Sequence, residues 1–141
     1  MPDLRARIRQ KLGGAQLVNL ATVSEGGRPW VRYVTAVTED DLTMRIATFA
    51  TSRKASHIAR FPEVHISCGV SSLAEAQDYL QIQATARVST DEVDRLRIWH
   101  DGLKVYFSGP DDPNLAVLVV KPYRIELQSM ASMNPEVWEA S

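Results

Sequence analysis

The sequence lacks the features that would require an unusual environment. One cysteine, Cys68, among 141 residues cannot form an internal disulfide, so an oxidising compartment is not required. The longest uninterrupted apolar run, residues 115–120, is far shorter than the roughly 20 residues that cross a bilayer. The first residues have no apolar stretch typical of a secretory signal. We therefore expect a cytoplasmic protein with no membrane association.

The chain also has no large excess of positive or negative charge. The chain has 16 basic and 17 acidic side chains and a formal net charge of −1. Nucleic acids and anionic membranes are usually bound through an excess of positive charge. The composition therefore predicts that nucleic acid is not a partner.

Several catalytic motifs are missing as well. There is no G-x-x-x-x-G-K-[ST] phosphate loop, no G-x-G-x-x-G dinucleotide fingerprint and no G-x-S-x-G nucleophile elbow. The three histidines, His57, His65 and His100, are scattered without the spacing of zinc ligands. We expect no metal site, and we expect Cys68 to pack as a small hydrophobic side chain.

What the chain does contain is typical of one globular domain. It is 45% apolar and 23% charged, with no long linker and no internal repeat. We expect a single domain over residues 1–141.

Alternating apolar and polar residues predict a mainly β protein. The first three predicted strands are joined by short turns at 25–28 and 39–41, which favours an antiparallel meander. Helices have no room between these strands, so a parallel sheet is excluded. About seven strands with small helices between them favour a closed antiparallel barrel. The predicted strands are residues 17–23, 30–37, 42–48, 64–70, 79–88, 115–120 and 123–128, the last two being broken by Lys121-Pro122.

Three short helices are predicted between the strands. The first carries Leu4, Ile8 and Leu12 and ends at Gly13-Gly14. The second covers residues 52–60, with Ser52 as its N-cap and Pro62 stopping it. The third is expected to begin with a capping box formed by Ser89 and Glu92, to bury Val93, Leu96 and Trp99, and to end near Gly102. Residues 71–77 and 108–113 are expected to be loops or turns.

The start of the second helix has the chemistry of an anion site. Free backbone N–H groups and the positive end of the helix dipole favour an anion there. Ser52 adds a hydroxyl, Arg53 a planar fork and Lys54 a compact charge. Two cations at this helix end are unfavourable by about 0.3–1 kcal/mol each unless an anion is bound. Either both cations point into solvent or a phosphate binds between them, and the sequence leaves both interpretations open.

Arg32 favours the phosphate interpretation. It is predicted to lie in the middle of a strand, on the same face as Trp30, Val34 and Ala36, where an unpaired guanidinium is costly to bury. It therefore needs a carboxylate partner or an anionic ligand. Its strand neighbours the one that ends at Thr48, so Arg32 is expected to reach the same phosphate.

These elements together resemble a known family. The chain contains P-x-x-R-x-V at residues 29–34, T-x-x-x-S-R-K-x-x-x-I at 48–58 and P-x-V at 62–64. This pattern is similar to that of the flavin-binding split barrels related to pyridoxamine 5′-phosphate oxidase. The segment 106–113, with its G-P-D-D-P run, resembles the general stress protein 26 branch of that superfamily. The resemblance extends from Gln10 to Trp138.

The resemblance implies a six-stranded antiparallel split β-barrel that forms a homodimer with FMN at the subunit interface. Carried over residue by residue, Ser52, Arg53 and Lys54 hold the FMN phosphate, with Arg32 alongside. Thr48 lies near the ribityl chain or the ring in this interpretation.

The resemblance also places the backbone of Tyr33 and Val34 near the isoalloxazine edge, and Trp138 over the partner's flavin. Two departures separate the chain from the oxidase itself. Ala47 stands where the oxidase has an aromatic residue, and the chain ends at Ser141 without the oxidase's substrate-binding segment.

We therefore expect an FMN-dependent oxidoreductase that is not the true pyridoxamine phosphate oxidase. It would exchange hydride with a small-molecule electron donor or acceptor. The alternatives are a non-catalytic flavin-binding module of the stress response, or a barrel that binds a deazaflavin or haem.

Overall fold

The computed structural model describes residues 2–141. Its α-helices are α1 (Leu4–Lys11), α2 (Arg53–Arg60) and α3 (Glu92–Ile98). Its strands are β1 (Ala15–Val23), β2 (Pro29–Thr38), β3 (Met44–Phe49), β4 (Glu63–Cys68), β5 (Asp78–Ser89), β6 (Leu115–Ser129) and β7 (Glu136–Glu139). Short 3₁₀ turns lie at Leu73–Glu75 and Asp101–Val105. None of the helices in the described range is long and apolar enough to span a membrane.

The strands form a closed six-stranded antiparallel barrel, as the sequence predicts. Their order is β3-β2-β1-β4-β5-β6, and β3 closes the ring by pairing with β6. β7, which the sequence did not predict, pairs with the second half of β6 outside the ring. The first three strands form the expected meander.

The barrel interior is filled by the inward-facing residues of every strand. Alternation of buried and exposed residues along β1 and β5 is the period-2 pattern that the sequence displays. Ile8 and Leu12 near α1 and Ala55 and Ile58 of α2 join the same core. Cys68 is buried there too, and burial raises the pKa of its thiol to about 11. The thiol therefore stays protonated and packs as a small hydrophobic group.

The predicted break at Lys121-Pro122 is wrong, because β6 runs through it. Gln83 of β5 pairs with Arg124 while Ala84 pairs with Pro122, so Tyr123 is an extra residue in β6. This is a β-bulge, one of the places in a sheet where proline is tolerated. The bulge lets one long strand pair with β3 at its start and with β7 near its end.

The predicted capping box and buried face of α3 are also wrong. Asp91 is the N-cap, and the hydroxyl of Ser89 instead donates to the carboxylate of Asp94 at 2.6 Å. Val93 and Leu96 are exposed, whereas Asp94 and Ile98 are buried. The helix ends at Ile98 rather than near Gly102. A charged residue faces inward because β3 presents a cation, Arg45, at the point where α3 packs.

Candidate functional site

The turn from β3 into α2 brings two hydroxyls together. Ser52 is the N-cap of α2 and its Oγ accepts a hydrogen bond from the Ala55 amide at 3.3 Å, as predicted. The Thr48 hydroxyl at the end of β3 donates to the same oxygen at 3.0 Å. Because Ser52 Oγ accepts both bonds, its own proton remains available to a ligand at the helix start.

Arg32 lies half-buried on β2 with its charge unneutralised. Its Nη1 donates to the carbonyls of Leu20 and Trp30, each at 3.2 Å, and to the Thr22 hydroxyl at 2.6 Å. No carboxylate of residues 2–141 pairs with it. Burial and the neighbouring Arg53 lower the pKa of Arg32. The carbonyls and the hydroxyl fix one nitrogen of the guanidinium, and the other nitrogens have no acceptor in the described part of the chain.

Arg53 and Lys54 are neighbours in sequence but line two different cavities. The Arg53 guanidinium stacks on the Trp30 ring, 4.7 Å from its centroid. Lys54 is half-buried, and burial together with the charge of Arg32 lowers its pKa. Within the described residues neither side chain has an acidic partner. We refer to Arg32, Arg53 and Lys54 as the cationic cluster.

His57 lies close to the cationic cluster, and sequence reasoning did not assign it to the site. Its Nδ1 lies 2.8 Å from the hydroxyl of Thr22, the buried residue that also accepts from Arg32. Burial and the charges of Arg32 and Arg53 lower the pKa of His57. The signal was available, because His57 follows Arg53 and Lys54 by one helical turn and so shares their face.

The depressed pKa of His57 predicts how stability depends on pH. The unfolded chain, with its ordinary histidine pKa of 6.5, takes up the proton first as pH falls. The melting temperature of the protein should therefore drop as the pH falls through the ordinary histidine range, from about pH 7 downward. The variant His57→Gln should show a flatter profile. An identical slope in His57→Gln would contradict the assignment.

A cavity of about 410 Å³ lies beside the cationic cluster. Tyr33, Val34, Thr48 and Lys54 line it on the barrel side. Three of the sequence-predicted residues of β2 and β3, namely Tyr33, Val34 and Thr48, thus line one space, whose size is within the range of small-molecule sites.

The cavity is also lined by residues between 98 and 107 and by Phe49 at the end of β3, which sequence reasoning did not assign to the site. Phe49, Tyr106 and Phe107 form an aromatic group there, with the Phe49 and Phe107 ring centroids 4.8 Å apart. His100 also lines the cavity. The space therefore combines an apolar, partly aromatic wall with the cation Lys54 and several hydroxyl-bearing side chains, which suits a planar ring system with a polar tail. Trp138, in contrast, packs against the core of its own chain.

Comparisons with known proteins identify the family and the fold of the chain. The family model described as pyridoxamine 5′-phosphate oxidase matches residues 4–129. General stress protein 26 of Bacillus subtilis (strain 168) is 30% identical over 133 residues, which cover 94% of each chain. The crystal structure of General Stress Protein 26 from Bacillus anthracis (strain Sterne) is similar at a TM-score of 0.82 and 24% identity, covering 97% of this chain and 98% of that one.

A further solved structure shares the fold at lower identity. The haem-binding protein from Mycobacterium smegmatis is similar at a TM-score of 0.72 and 19% identity, covering 99% of this chain and 59% of that one. At this identity the likeness concerns the barrel architecture alone.

Proposed function

This chain belongs to the pyridoxamine 5′-phosphate oxidase family, and on that premise we propose that it binds FMN and uses it for hydride transfer. One observation carries the proposal: three cations that have no acidic partner among residues 2–141 lie around the start of α2, next to a cavity of ring-binding size. Burial is the main cause of the lowered pKa of Arg32 and of Lys54, and repulsion from a neighbouring cation adds to it in each case. An anionic phosphate would relieve that repulsion.

In this proposal each residue of the helix start has a distinct role toward the phosphate. The fork of Arg53 matches the phosphate oxygens, Lys54 adds a point charge and the Ser52 hydroxyl donates its free proton. The free N–H groups at the start of α2 complete the cradle. Arg32, held by Thr22, contributes charge from β2.

The chemistry of hydride exchange is supplied by the flavin when it is bound. The chain supplies its orientation and an apolar surface for its ring. The backbone of Tyr33 and Val34 lies along the cavity wall where a ring edge would be held, and Thr48 stands between that wall and the helix start. The rings of Phe49 and Phe107 provide an apolar surface in the same cavity.

Reduction of the bound flavin separates an enzyme from a storage module. We expect FMN-loaded protein to bleach under anaerobic conditions when NADH or NADPH is added, faster than free FMN at the same concentration. This expectation follows if the cavity holds a small-molecule electron donor against the ring. Tight FMN binding with no faster bleaching would instead favour the non-catalytic stress-response module. Because nicotinamide nucleotides are cytoplasmic reductants, we propose a cytoplasmic location.

We also propose that the protein is a homodimer whose interface includes the outer face of the β1–β2 hairpin. Leu17, Val31 and Tyr33 on that face are 67%, 66% and 70% exposed. Such a contiguous apolar surface is typical of an interface. Tyr33 also lines the flavin cavity, so a second copy seated on this face would close the cavity from outside.

The double variant Leu17→Lys/Val31→Lys should convert the dimer to a monomer. Two buried charges per chain would oppose an apolar interface at modest cost to the barrel, because both side chains point outward. Light scattering should give about twice 15.7 kDa for the original chain and about 15.7 kDa for the variant. Leu73→Lys, at an exposed position in a 3₁₀ turn, is the control and should remain dimeric. A monomeric mass for the unmodified chain would contradict the proposal.

Haem is the second candidate ligand, because His100 lines the cavity and a fold neighbour binds haem. The hydrogen bonding of the His100 imidazole argues for flavin instead. His100 Nδ1 accepts a hydrogen bond from the Gly102 amide at 3.1 Å, so the neutral ring carries its proton on Nε2 and is not ready to bind iron. Absorption spectra and mass spectrometry of the released ligand distinguish haem, deazaflavin and FMN.

A further inference from the structure

The larger of the two cavities at α2 is not used by the proposed FMN site. This α2 cleft measures about 770 Å³ and lies between the β1–β2 turn and the outer face of α2. Its walls include Glu25, Arg28 and Trp30 from the hairpin and Arg53, His57 and Arg60 from the helix. Because Arg53 belongs to the cationic cluster and also lines the cleft, the cleft begins where the FMN phosphate is proposed to lie.

The cleft contains a ready surface for a planar base. The Trp30 indole is 44% exposed and stacks with the Arg53 guanidinium at 4.7 Å. Nucleobases stack on aromatic rings and on guanidinium planes with little dependence on sequence context. An exposed indole in a charged cleft thus favours an aromatic ligand over a purely ionic one.

The charges of the cleft favour an anion on that ligand. Arg60 pairs with Glu25 at 3.3 Å, which neutralises both. Arg28 and Arg53 have no acidic partner within residues 2–141, so the cleft carries net positive charge. A guanidinium beside a stacking surface is the arrangement that holds a phosphate next to a base.

We propose that the α2 cleft binds an adenylate, with its base on the Trp30–Arg53 stack and its phosphate toward Arg28. The proposal rests on the proposed function, since it places the adenylate next to the FMN phosphate. Adenylate is the purine unit that common redox cofactors carry, and the cleft volume is within the range of such ligands. It can come from two sources, the adenylate half of FAD or a separate adenine nucleotide.

The first experiment compares the dissociation constants of FMN and FAD. If the adenylate is part of the flavin, FAD should bind about 10-fold more tightly than FMN, the gain expected from one stacked base. Arg28→Ala should remove most of this preference while leaving FMN affinity unchanged, because Arg28 lies outside the FMN site. Trp30→Ala should also reduce the ratio, and Arg5→Ala on α1 is the matched control that should not. A preference for FAD that survives both cleft variants would overturn the assignment.

The second experiment titrates AMP into FMN-loaded protein. Saturable binding that Arg28→Ala weakens would assign the cleft to a separate nucleotide. Equal affinities for FMN and FAD, together with no AMP binding, would overturn the proposal. Failure of the proposed FMN function would give a different result, because FMN would then bind no better than riboflavin. In that case AMP titrated into the flavin-free protein would still test the cleft.

Discussion

Replacing both Arg53 and Lys54 with alanine is expected to weaken FMN binding by at least about 100-fold. Hydrogen bonds to charged groups contribute about 1.5–3 kcal/mol each, so losing two of them costs about 3 kcal/mol or more. Neither side chain has an acidic partner in the described part of the chain, so the loss is not offset by freeing a carboxylate. Flavin fluorescence titrations at fixed ionic strength measure the effect.

Riboflavin provides the internal control for this prediction. It has the ring and the ribityl chain but no phosphate, so its affinity should change little in the double variant. The variant Arg5→Ala/Lys121→Ala removes the same charge from exposed positions and should bind FMN normally. An FMN affinity that the Arg53 and Lys54 changes leave intact would remove the phosphate assignment.

Replacing Asp94 with alanine is expected to lower the free energy of unfolding by about 3 kcal/mol. Asp94 is buried on α3, where its carboxylate accepts from Arg45 at 2.5 Å and from Ser89 at 2.6 Å. Removing one partner of a buried ion pair typically costs about 3–5 kcal/mol. The low end applies here because Glu39 still pairs with Arg45. Urea denaturation measures the change.

Asp101→Ala is the matched control for this stability prediction. Asp101 forms an exposed ion pair with Lys104 at 3.5 Å, and such pairs contribute about 0–1 kcal/mol.

The pH dependence of the unfolding free energy is a second check on the role of Asp94. Burial alone would raise the pKa of Asp94, but the Ser89 hydrogen bond and the charges of Arg45 and Arg87 outweigh it and lower the pKa. The contribution of Asp94 is therefore present above the ordinary aspartate pKa of about 4 and is lost as pH falls through the lower folded value. A difference between the original chain and Asp94→Ala that grows toward acid pH would contradict this.

The sequence predicts the barrel well because its signals are local. Alternation of buried and exposed residues sets the strands, and short turns make the first three strands neighbours. The N-cap Ser52 is equally local, since a side-chain oxygen three residues before the Ala55 amide is all that the cap requires.

Features that depend on residues distant in the sequence could not be predicted from the sequence alone. Pro122 lies inside β6 only because Ala84 of another strand pairs across a bulge. Ser89 bonds to Asp94 rather than capping α3, because Arg45 of β3 draws that carboxylate inward.

The candidate site also has one part that the local sequence predicts and another part that depends on tertiary packing. The cationic cluster was predicted from residues 32 and 52–54, and the structure gathers these residues at the start of α2. The aromatic wall of Tyr106 and Phe107, and the link from Arg32 through Thr22 to His57, depend on tertiary packing and were missed. For Arg53 the sequence left open a solvent-exposed cation or a phosphate ligand, and it did not predict the stacking of Arg53 on Trp30.

The central claim is that the cationic cluster binds the phosphate of FMN. A crystal structure of the protein grown with excess FMN tests it most directly. We expect the phosphate oxygens to lie within hydrogen-bond distance of Ser52, Arg53 and Lys54, with the ring in the cavity lined by Tyr33 and Thr48. A phosphate bound elsewhere, or a cluster occupied by a carboxylate of the protein itself, would contradict the claim.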